Sequence, residues 1–383
     1  MTNETSAPTD DDARFFEGLA QPAIARLHAY DPGHDLVALR RQATPGCLTE
    51  LGSNENPDGP SPSVRQSVLA SVDDLHRYPD PRGGDLKRAL ATTHGVAVDQ
   101  IILGNGSHEL LMQLAQVFAG PGGDVVVPEY GFAVFAIAAR AVGARVITAR
   151  ALPVDAAMPR GHDLDAIADA ITAETRLVFV ANPNNPTGTW FSPDQFAAFM
   201  ARVPGHVIVV VDEAYAELVD AADYASALGM LAGHRNLLVT RTFSKAYALA
   251  GLRIGYAIAH PGLVAVLERI RESFNLGTIA LAAAEAALAD ASHLRRSVKA
   301  NALRRGALKL ALQQRGWQVS PSQTNFLLVE FGPDARRIDA VLLSEGVVLR
   351  PMEGYGLPTC LRISVGSDEE NTRLLAALDK VCA

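Results

Sequence analysis

One lysine stands in a stretch of sequence whose residue types could do chemistry together. Lys245 lies between Ser244 and Ala246, just after a short apolar run, and the chain holds only five lysines against 29 arginines. Lysine, unlike arginine, can lose its proton in an enclosed site and attack a carbonyl carbon. Thr242, Ser244 and Arg253 could bind an anion beside it. The stretch predicts a nucleophilic lysine next to an anion site, and the alternative is a solvated lysine at a strand-to-loop corner.

Other polar side chains also follow apolar runs. Asp212 comes directly after five β-forming residues, where a buried carboxylate or a helix cap would fit. Asn185 lies in the unusual run Asn-Pro-Asn-Asn-Pro-Thr-Gly. The segment Gly104-x-Gly106-Ser107-His108 opens a predicted helix, whose free N–H groups favour an anion. Glycine-rich turns of this kind also arise for steric reasons alone.

The pattern of apolar runs indicates the elements that position these residues. Short continuous runs alternate with helical segments, which is typical of a mostly parallel sheet buried on both faces. The predicted strands cover residues 101–103, 124–127, 145–147, 177–180, 207–211 and 237–239. Ligands bind at the carboxyl ends of the strands in such sheets. Nearly every polar cluster follows such an end, so we expect the clusters to form one site.

The C-terminal part of the sequence has a different character. Residues 279–314 predict one long or kinked helix between two domains, and the following strand and helix signals predict a smaller α+β domain. We predict an N-terminal arm at 1–45, a large domain at 46–275 and a small domain at 276–383. The predicted fold class is α/β, with a mostly parallel sheet flanked by helices in the large domain.

Composition limits the classes of function. The chain is 48% hydrophobic and 20% charged, as in folded soluble proteins, and its net charge of −8 argues against a nucleic-acid partner. The cysteines are three and far apart, which fits a reducing cytoplasm and excludes a cysteine metal site or a disulfide framework. No apolar run approaches the roughly 18 residues of a membrane span. We therefore expect a cytoplasmic protein without a metal site, a nucleic-acid partner or a membrane partner.

The lysine stretch carries a family resemblance. The segment Arg241-Thr-Phe-Ser-Lys-Ala-Tyr-Ala-Leu-Ala-Gly-Leu-Arg253 resembles the lysine segment of the fold-type I aminotransferases, and is closest to the histidinol-phosphate aminotransferase branch. The resemblance runs from about Tyr30 to the C-terminus in the family order. It implies pyridoxal 5′-phosphate as the cofactor, Lys245 as the Schiff-base lysine and proton shuttle, and a homodimer.

The resemblance also implies roles around the cofactor ring. Asp212 would keep the ring nitrogen protonated, which makes the ring an electron sink. Asn185 and Tyr215 would bond the ring oxygen O3′. Tyr130 would stack on the ring, although its position also fits a tyrosine packed on a turn.

The resemblance further implies a phosphate cradle and a substrate site. The cradle would contain Ser107, His108, Thr242, Ser244, Arg253 and, from the partner subunit, Tyr78. Many relatives have an acidic residue at the position of His108, so this histidine either donates a proton to the phosphate or only caps the helix.

The substrate-binding candidates are Tyr30, Asn54, Arg350 and Arg362. A guanidinium binds a carboxylate or a phosphate with two hydrogen bonds, and Arg362 matches the arginine that takes the anionic end of the substrate. Arg350 could bind phosphate or form an interdomain salt bridge.

The branch resemblance implies amino transfer from L-histidinol phosphate to 2-oxoglutarate, so the partners are a small amino donor and a 2-oxo acid. An aromatic or specialised amino donor is an alternative, and a lyase or decarboxylase would use the same cofactor. A sensor domain of a transcription regulator is a further class. Such regulators carry a basic domain in front, whereas only Arg14 and Arg26 precede Tyr30 here.

Overall fold

The computed structural model describes residues 10–27, 29, 33–42 and 48–382. The helices are α1 (Asp10–Leu19), α2 (Leu36–Gln42), α3 (Pro62–Ser71), α4 (Gly84–His94), α5 (Gly106–Phe118), α6 (Ala133–Ala141), α7 (Leu164–Asp169), α8 (Pro193–Met200), α9 (Pro261–Leu267), α10 (Thr278–Ala289), α11 (Ala291–Gln314), α12 (Ala335–Ser344) and α13 (Asp368–Cys382). The strands are β1 (Thr49–Glu50), β2 (Ile101–Gly104), β3 (Asp124–Pro128), β4 (Arg145–Ala149), β5 (Thr175–Ala181), β6 (Ile208–Asp212), β7 (Leu237–Thr242), β8 (Gly255–Ala259), β9 (Gln318–Val319), β10 (Phe326–Glu330), β11 (Val347–Val348), β12 (Arg350–Pro351) and β13 (Cys360–Ser364).

A seven-stranded sheet in the order β2-β8-β7-β6-β5-β3-β4 forms the centre of the large domain. The neighbours from β7 to β4 are parallel, and β8 runs antiparallel to both β2 and β7. The predicted α/β class is confirmed. Strand β8 is not among the strands predicted from the sequence. The strand begins with a glycine and contains two alanines, which are depleted in strands, and burial between two neighbours outweighs that preference.

Helices cover both faces of this sheet. Val125 and Val127 belong to one buried cluster with residues of α5 and α6, whereas Val126 belongs to a second cluster with residues of α8. Alternate strand residues point to opposite faces, so an unbroken apolar run fills both clusters. The strands are thereby held in fixed register, and the carboxyl ends of all of them except β8 meet at one edge of the sheet.

The C-terminal part contains a four-stranded antiparallel sheet in the order β12-β13-β10-β9. The predicted long helix is divided at Asp290 into α10 and α11, and the side chain of Asp290 accepts a hydrogen bond from His293 N at 3.0 Å to cap α11. Strand β1 pairs with β11, so residues just after the predicted arm contact the C-terminal part. The domain limits themselves stay predictions.

The described part of the arm lies against the rest of the molecule. His34 Nε2 is 3.2 Å from Asp339 Oδ2, and Arg40 Nε donates to Glu50 Oε1 at 2.6 Å. Among the described helices, none has both the length and the apolar character needed to cross a membrane.

Candidate active site

A cavity of about 330 Å³ lies at the carboxyl edge of the large sheet. It collects polar residues that are far apart in the sequence, because the strands and loops that carry them end at the same edge. The residues predicted for the site that line this cavity are Asn54, Ser107, His108, Asn185, Asp212, Tyr215, Thr242, Ser244, Lys245, Arg253, Arg350 and Arg362. The structure therefore brings most of the predicted site together.

Lys245 borders this cavity on the loop that follows β7. Its Nζ donates to the carbonyl oxygens of Asn54 at 3.2 Å and Ser53 at 3.4 Å. Burial, followed by the nearby charge of Arg362, lowers the pKa of the Lys245 amine to about 8. A larger share of the amine than in an ordinary lysine is therefore neutral and nucleophilic near neutral pH. Phe243, fully buried two residues earlier, anchors the loop to the core.

Asp212 is the last residue of β6 and is almost completely buried. Thr240, its partner in register on β7, donates its hydroxyl to Asp212 Oδ1 at 3.1 Å. Burial raises the pKa of the Asp212 carboxyl to about 6. A carboxylate with this raised proton affinity needs a cationic or N–H partner in the cavity to stay ionised, and a protonated ring nitrogen is such a partner.

Tyr215 and Asn54 form a second polar contact in the cavity wall. Asn54 Nδ2 donates to the hydroxyl oxygen of Tyr215 at 3.0 Å, which leaves the phenol proton for another acceptor. Burial raises the pKa of Tyr215 above its ordinary value, so the phenol stays protonated. Asn54 itself has a positive φ of 55°, and its amide N–H donates to Ser364 Oγ at 2.8 Å.

Arg253, Ser244 and Thr242 form a cradle of donors. Arg253 Nη1 donates to the carbonyl oxygen of Ala250 at 3.1 Å and to Ser244 Oγ at 3.4 Å. The Thr242 hydroxyl donates to Ser244 Oγ at 2.9 Å. The guanidinium and the Thr242 hydroxyl thus meet at Ser244 Oγ, and all three side chains line the cavity.

The first turn of α5 completes the cradle. A Cβ atom at Gly106 would lie 2.7 Å from Arg253 Nη2, and one at Gly255 would lie 2.6 Å from the backbone nitrogen of Ser107. Glycine at both positions lets the helix N-terminus, strand β8 and the guanidinium approach closely. Free helix N–H groups beside a guanidinium favour a phosphate. His108 also borders the cavity, and burial, followed by the charge of Arg253, lowers its pKa.

Arg362 and Arg350 provide a second cationic region. Arg362 Nη1 donates to Asn185 Oδ1 at 2.6 Å, Nη2 donates to the carbonyl oxygen of Gly52 at 2.8 Å, and the guanidinium lies 5.3 Å from the centroid of the Phe326 ring. Arg350 is the register partner of Arg362 across β12 and β13. The two buried guanidinium groups suit an anionic substrate group.

Two of the predicted residues that the structure describes do not line this cavity. Tyr130 packs against the buried cluster around Leu328 and Cys360, and Phe132 lines the cavity instead. Tyr78 is 83% exposed and stacks on Phe274, with ring centroids 4.6 Å apart. Tyr30 lies outside the described residues.

The sequence contains a signal for Phe132. The turn after β3 carries two aromatic residues, Tyr130 and Phe132, and Phe132 immediately precedes α6. The N–H of Gly131 donates to the carbonyl oxygen of Pro128 at 3.0 Å, so Tyr130 lies inside a turn and Phe132 follows it. The aromatic residue after this turn faces the cavity.

The fold and cavity define a class of protein, the lysine-dependent α/β enzymes that bind a phosphorylated cofactor at the carboxyl edge of a sheet. A family model described as "Aminotransferase class I and II" matches residues 48–378, and the chain belongs to that family. The family predicted from the sequence is confirmed, and the chain is an enzyme of the transaminase type.

Similar proteins cover nearly the whole chain. A protein of Pseudomonas aeruginosa named histidinol-phosphate aminotransferase 2 is 46% identical over 372 residues, which cover 96% of this chain and 99% of that protein. A protein of the same name from Ralstonia nicotianae is 48% identical over 339 residues, covering 88% and 89% of the two chains. The crystal structure of histidinol-phosphate aminotransferase from Sinorhizobium meliloti in complex with pyridoxal-5′-phosphate is similar with a TM-score of 0.85 and 33% identity, covering 99% of each chain.

The donor set of the cavity fits pyridoxal 5′-phosphate, and the family and the Sinorhizobium meliloti structure support it as the cofactor. One cavity contains an amine with a lowered pKa, a buried strand-end carboxylate, a phenol and an anion cradle closed by two obligatory glycines. These groups match the aldehyde, ring nitrogen, ring oxygen and phosphate of that molecule.

Proposed function

We propose that this aminotransferase moves the amino group of L-histidinol phosphate to 2-oxoglutarate, as a step of histidine biosynthesis. The observation that carries the proposal is the presence of two cationic regions in one cavity with Lys245. The cradle around Arg253 suits the cofactor phosphate. The region around Arg362 and Arg350 is then left for the anionic end of a substrate, which is a phosphate in histidinol phosphate and a carboxylate in 2-oxoglutarate.

The names of the relatives support the same substrate. The Pseudomonas aeruginosa and Ralstonia nicotianae proteins are named for histidinol phosphate, and each aligns with most of this chain. The cavity agrees with that choice, because a donor that carries a phosphate needs a second anion site besides the one that holds the cofactor.

Lys245 would perform the proton transfer. Pyridoxal phosphate supplies an electron-accepting ring and carries the amino group between the two substrates. Lys245 would hold the cofactor in the resting enzyme, and its amine, whose pKa is lowered by burial, would take the proton from the substrate Cα once it is free. Its contact with the carbonyl oxygen of Asn54 keeps the amine at this edge of the cavity.

The remaining residues bind and orient. Asp212 would hold a proton at the ring nitrogen, and the Tyr215 phenol and the Asn185 amide would donate to the ring oxygen. Ser107, His108, Thr242 and Ser244 join Arg253 at the phosphate. We propose Phe132 as the aromatic side chain against the ring, since it lines the cavity and Tyr130 does not.

We also propose a homodimer and a cytoplasmic location. The 83% exposure of Tyr78 and its stacking on Phe274, outside its own cavity, support a contact with a second copy of the chain. Cys360 is a free, buried cysteine, which agrees with the reducing compartment expected from the cysteine content.

The test is a single half-reaction with different amino donors. The protein is loaded with pyridoxal phosphate and mixed separately with L-histidinol phosphate, glutamate and phenylalanine, and the absorbance of the bound cofactor is followed. We expect histidinol phosphate and glutamate to convert the cofactor at much lower concentration than phenylalanine does. Conversion by glutamate or phenylalanine with no response to histidinol phosphate would contradict the substrate and leave the aminotransferase class intact.

A further inference from the structure

We propose that Arg241 is a positioning residue for the cofactor site, which it serves from the opposite face of the sheet by joining the strand end that carries Asp212 to the strand end that carries Lys245. This inference rests on the proposed function, because it assumes that Asp212 meets the cofactor ring. The observation behind it is a buried ion cluster of Arg241, Glu213 and Glu217, which lies outside the cavity described above.

The strand geometry places the cluster behind the site. Asp212 and Thr240 are register partners, and Glu213 N donates to the carbonyl oxygen of Thr240 at 2.9 Å. Thr240 contacts Asp212, and Thr242 belongs to the phosphate cradle, so these two residues of β7 serve the cavity. Arg241 stands between them, and alternation along a strand turns its side chain to the other face.

The side chain of Arg241 contacts two acidic residues that follow β6. Its Nη2 lies 2.7 Å and its Nε 3.0 Å from Glu213 Oε2, and its Nη1 lies 3.0 Å from Glu217 Oε1. Ser226 Oγ donates to Glu213 Oε2 at 2.6 Å, and Ala227 N donates to Glu213 Oε1 at 2.6 Å. The Glu213 carboxylate is therefore held by four donors.

Burial makes this cluster sensitive to the loss of one member. The side chain of Glu213 is fully buried and that of Arg241 is 10% exposed. Removing one partner of a buried ion pair leaves an uncompensated charge, whereas an exposed pair can be lost at little cost. Glu213 is also the residue directly after Asp212, and its charge contributes to the raised pKa of Asp212. Arg241 compensates that charge, so it acts on Asp212 through Glu213.

These contacts indicate that side chains on the two faces of the sheet have different roles. On the cavity face, Asp212 and Thr242 would touch the cofactor, and the hydroxyl of Thr240 joins the two strands by its hydrogen bond to Asp212. On the other face, the guanidinium of Arg241 spans from β7 to the residue after β6, and its Nε and Nη2 both donate to Glu213 Oε2. We expect loss of the guanidinium to loosen the strand ends and to misplace Asp212 relative to Lys245.

The test uses pyridoxal phosphate labelled with ¹⁵N in the ring. Wild type, Arg241→Met, Arg241→Lys and Glu213→Gln are loaded, and two quantities are measured: the dissociation constant of the cofactor by equilibrium dialysis, and the ¹⁵N chemical shift of the ring nitrogen. We expect Arg241→Met to weaken cofactor binding roughly tenfold or more and to move the ring nitrogen away from the protonated form. Arg241→Lys keeps the charge without the guanidinium and should recover part of both effects, and Glu213→Gln should weaken binding less.

Arg305→Met is the matched control. Arg305 is another buried arginine, whose Nη2 lies 2.8 Å from Asp220 Oδ1, and it does not line the cavity. We expect it to lower thermal stability without changing either cofactor measurement. If Arg241→Met and Glu213→Gln lower stability as Arg305→Met does but keep the wild-type dissociation constant and ¹⁵N shift, Arg241 is only structural and the inference is overturned.

A separate variant distinguishes failure of the proposed function. Asp212→Asn should remove the protonated form of the ring nitrogen that wild type shows. If wild type already lacks that form, or if Asp212→Asn keeps it, the proposed role of Asp212 is wrong, and the inference on Arg241 falls with it. If Asp212→Asn behaves as expected and Arg241→Met does not, only the inference on Arg241 is wrong.

Discussion

Arg362 Nη1 donates to Asn185 Oδ1 over 2.6 Å, and this contact joins the proposed substrate site to the proposed cofactor site. The amide oxygen of Asn185 is used by the guanidinium, so its NH₂ group is the one left for the cofactor. The other terminal nitrogen of Arg362, Nη2, donates to the carbonyl oxygen of Gly52. The arginine is thus fixed in direction before any substrate arrives, which lowers the entropy cost of binding an anion.

Arg362→Lys should reduce kcat/KM for both substrates by about 100-fold, because lysine keeps the charge but cannot hold Asn185, Gly52 and an anion with one planar fork. The measurement is steady-state kinetics with histidinol phosphate and with 2-oxoglutarate, together with the absorbance of the bound cofactor. Arg336→Lys is the control, since Arg336 is largely exposed beside Glu353. Wild-type kcat/KM in Arg362→Lys would contradict a substrate role for this arginine.

Asp212 should make the cofactor-free protein less stable as the pH rises. Its pKa is about 6 in the folded chain against an ordinary value of 3.8. The folded state therefore binds the proton more tightly, and the stability that this proton provides is present below about pH 4 and is lost as the pH rises to about 6. Asp212→Asn should remove that loss and leave the cofactor-free protein about 2–3 kcal/mol more stable at pH 7.

Denaturant unfolding of the cofactor-free proteins between pH 4.5 and 7 checks this prediction. Asp124→Asn is a control for which we expect the opposite change in stability, because the hydrogen bond from Arg145 lowers the pKa of Asp124. This variant should lose stability relative to wild type at pH 7. Equal pH dependence in wild type and Asp212→Asn would contradict the raised pKa of Asp212.

The sequence was sufficient to predict which residues meet at the centre of the cavity. Lys245, Asp212 and Asn185 each follow a strand of buried apolar residues, and a parallel sheet brings such strand ends together whatever the details of the helices. The resemblance then supplied the roles of residues such as Tyr215, whose position in a turn says little about its chemistry. Prediction succeeded where backbone topology alone determines the position of a side chain.

Prediction failed where a position depends on a tertiary contact or a local reversal. Strand β8 owes its conformation to its two neighbours rather than to its own residues. Tyr130 and Phe132 both lie near the turn after β3, and the sequence does not reveal which of the two rings faces the cavity. The contacts of Arg241 with Glu213 and Glu217 join segments that are 28 and 24 residues apart, and no spacing rule connects them.

Phe132, rather than Tyr130, should determine cofactor affinity. Phe132→Leu removes the ring that lines the cavity and should weaken pyridoxal phosphate binding by roughly tenfold, since aromatic contacts contribute about 0.5–1.5 kcal/mol beyond the buried area. Tyr130→Leu is the matched variant, because it removes a ring that packs against Leu328 and Cys360, and it should bind the cofactor as wild type does. Equilibrium dialysis measures both variants. Weaker cofactor binding in the Tyr130 variant, with wild-type binding in the Phe132 variant, would identify Tyr130 as the stacking residue.

Tyr78 and Lys245 should complement each other in mixed dimers if Tyr78 serves the partner's site. Tyr78→Ala and Lys245→Ala should each have strongly reduced or no turnover while keeping their folds, as circular dichroism can verify. When equal amounts are unfolded, mixed and refolded, half of the dimers are hybrids, and each hybrid has one intact site, so we expect about a quarter of wild-type activity. Each variant refolded alone is the control. If Tyr78 served its own subunit, every site in a hybrid would lack one residue, so an unrescued mixture would contradict the shared site, and turnover in Lys245→Ala alone would contradict the lysine's role.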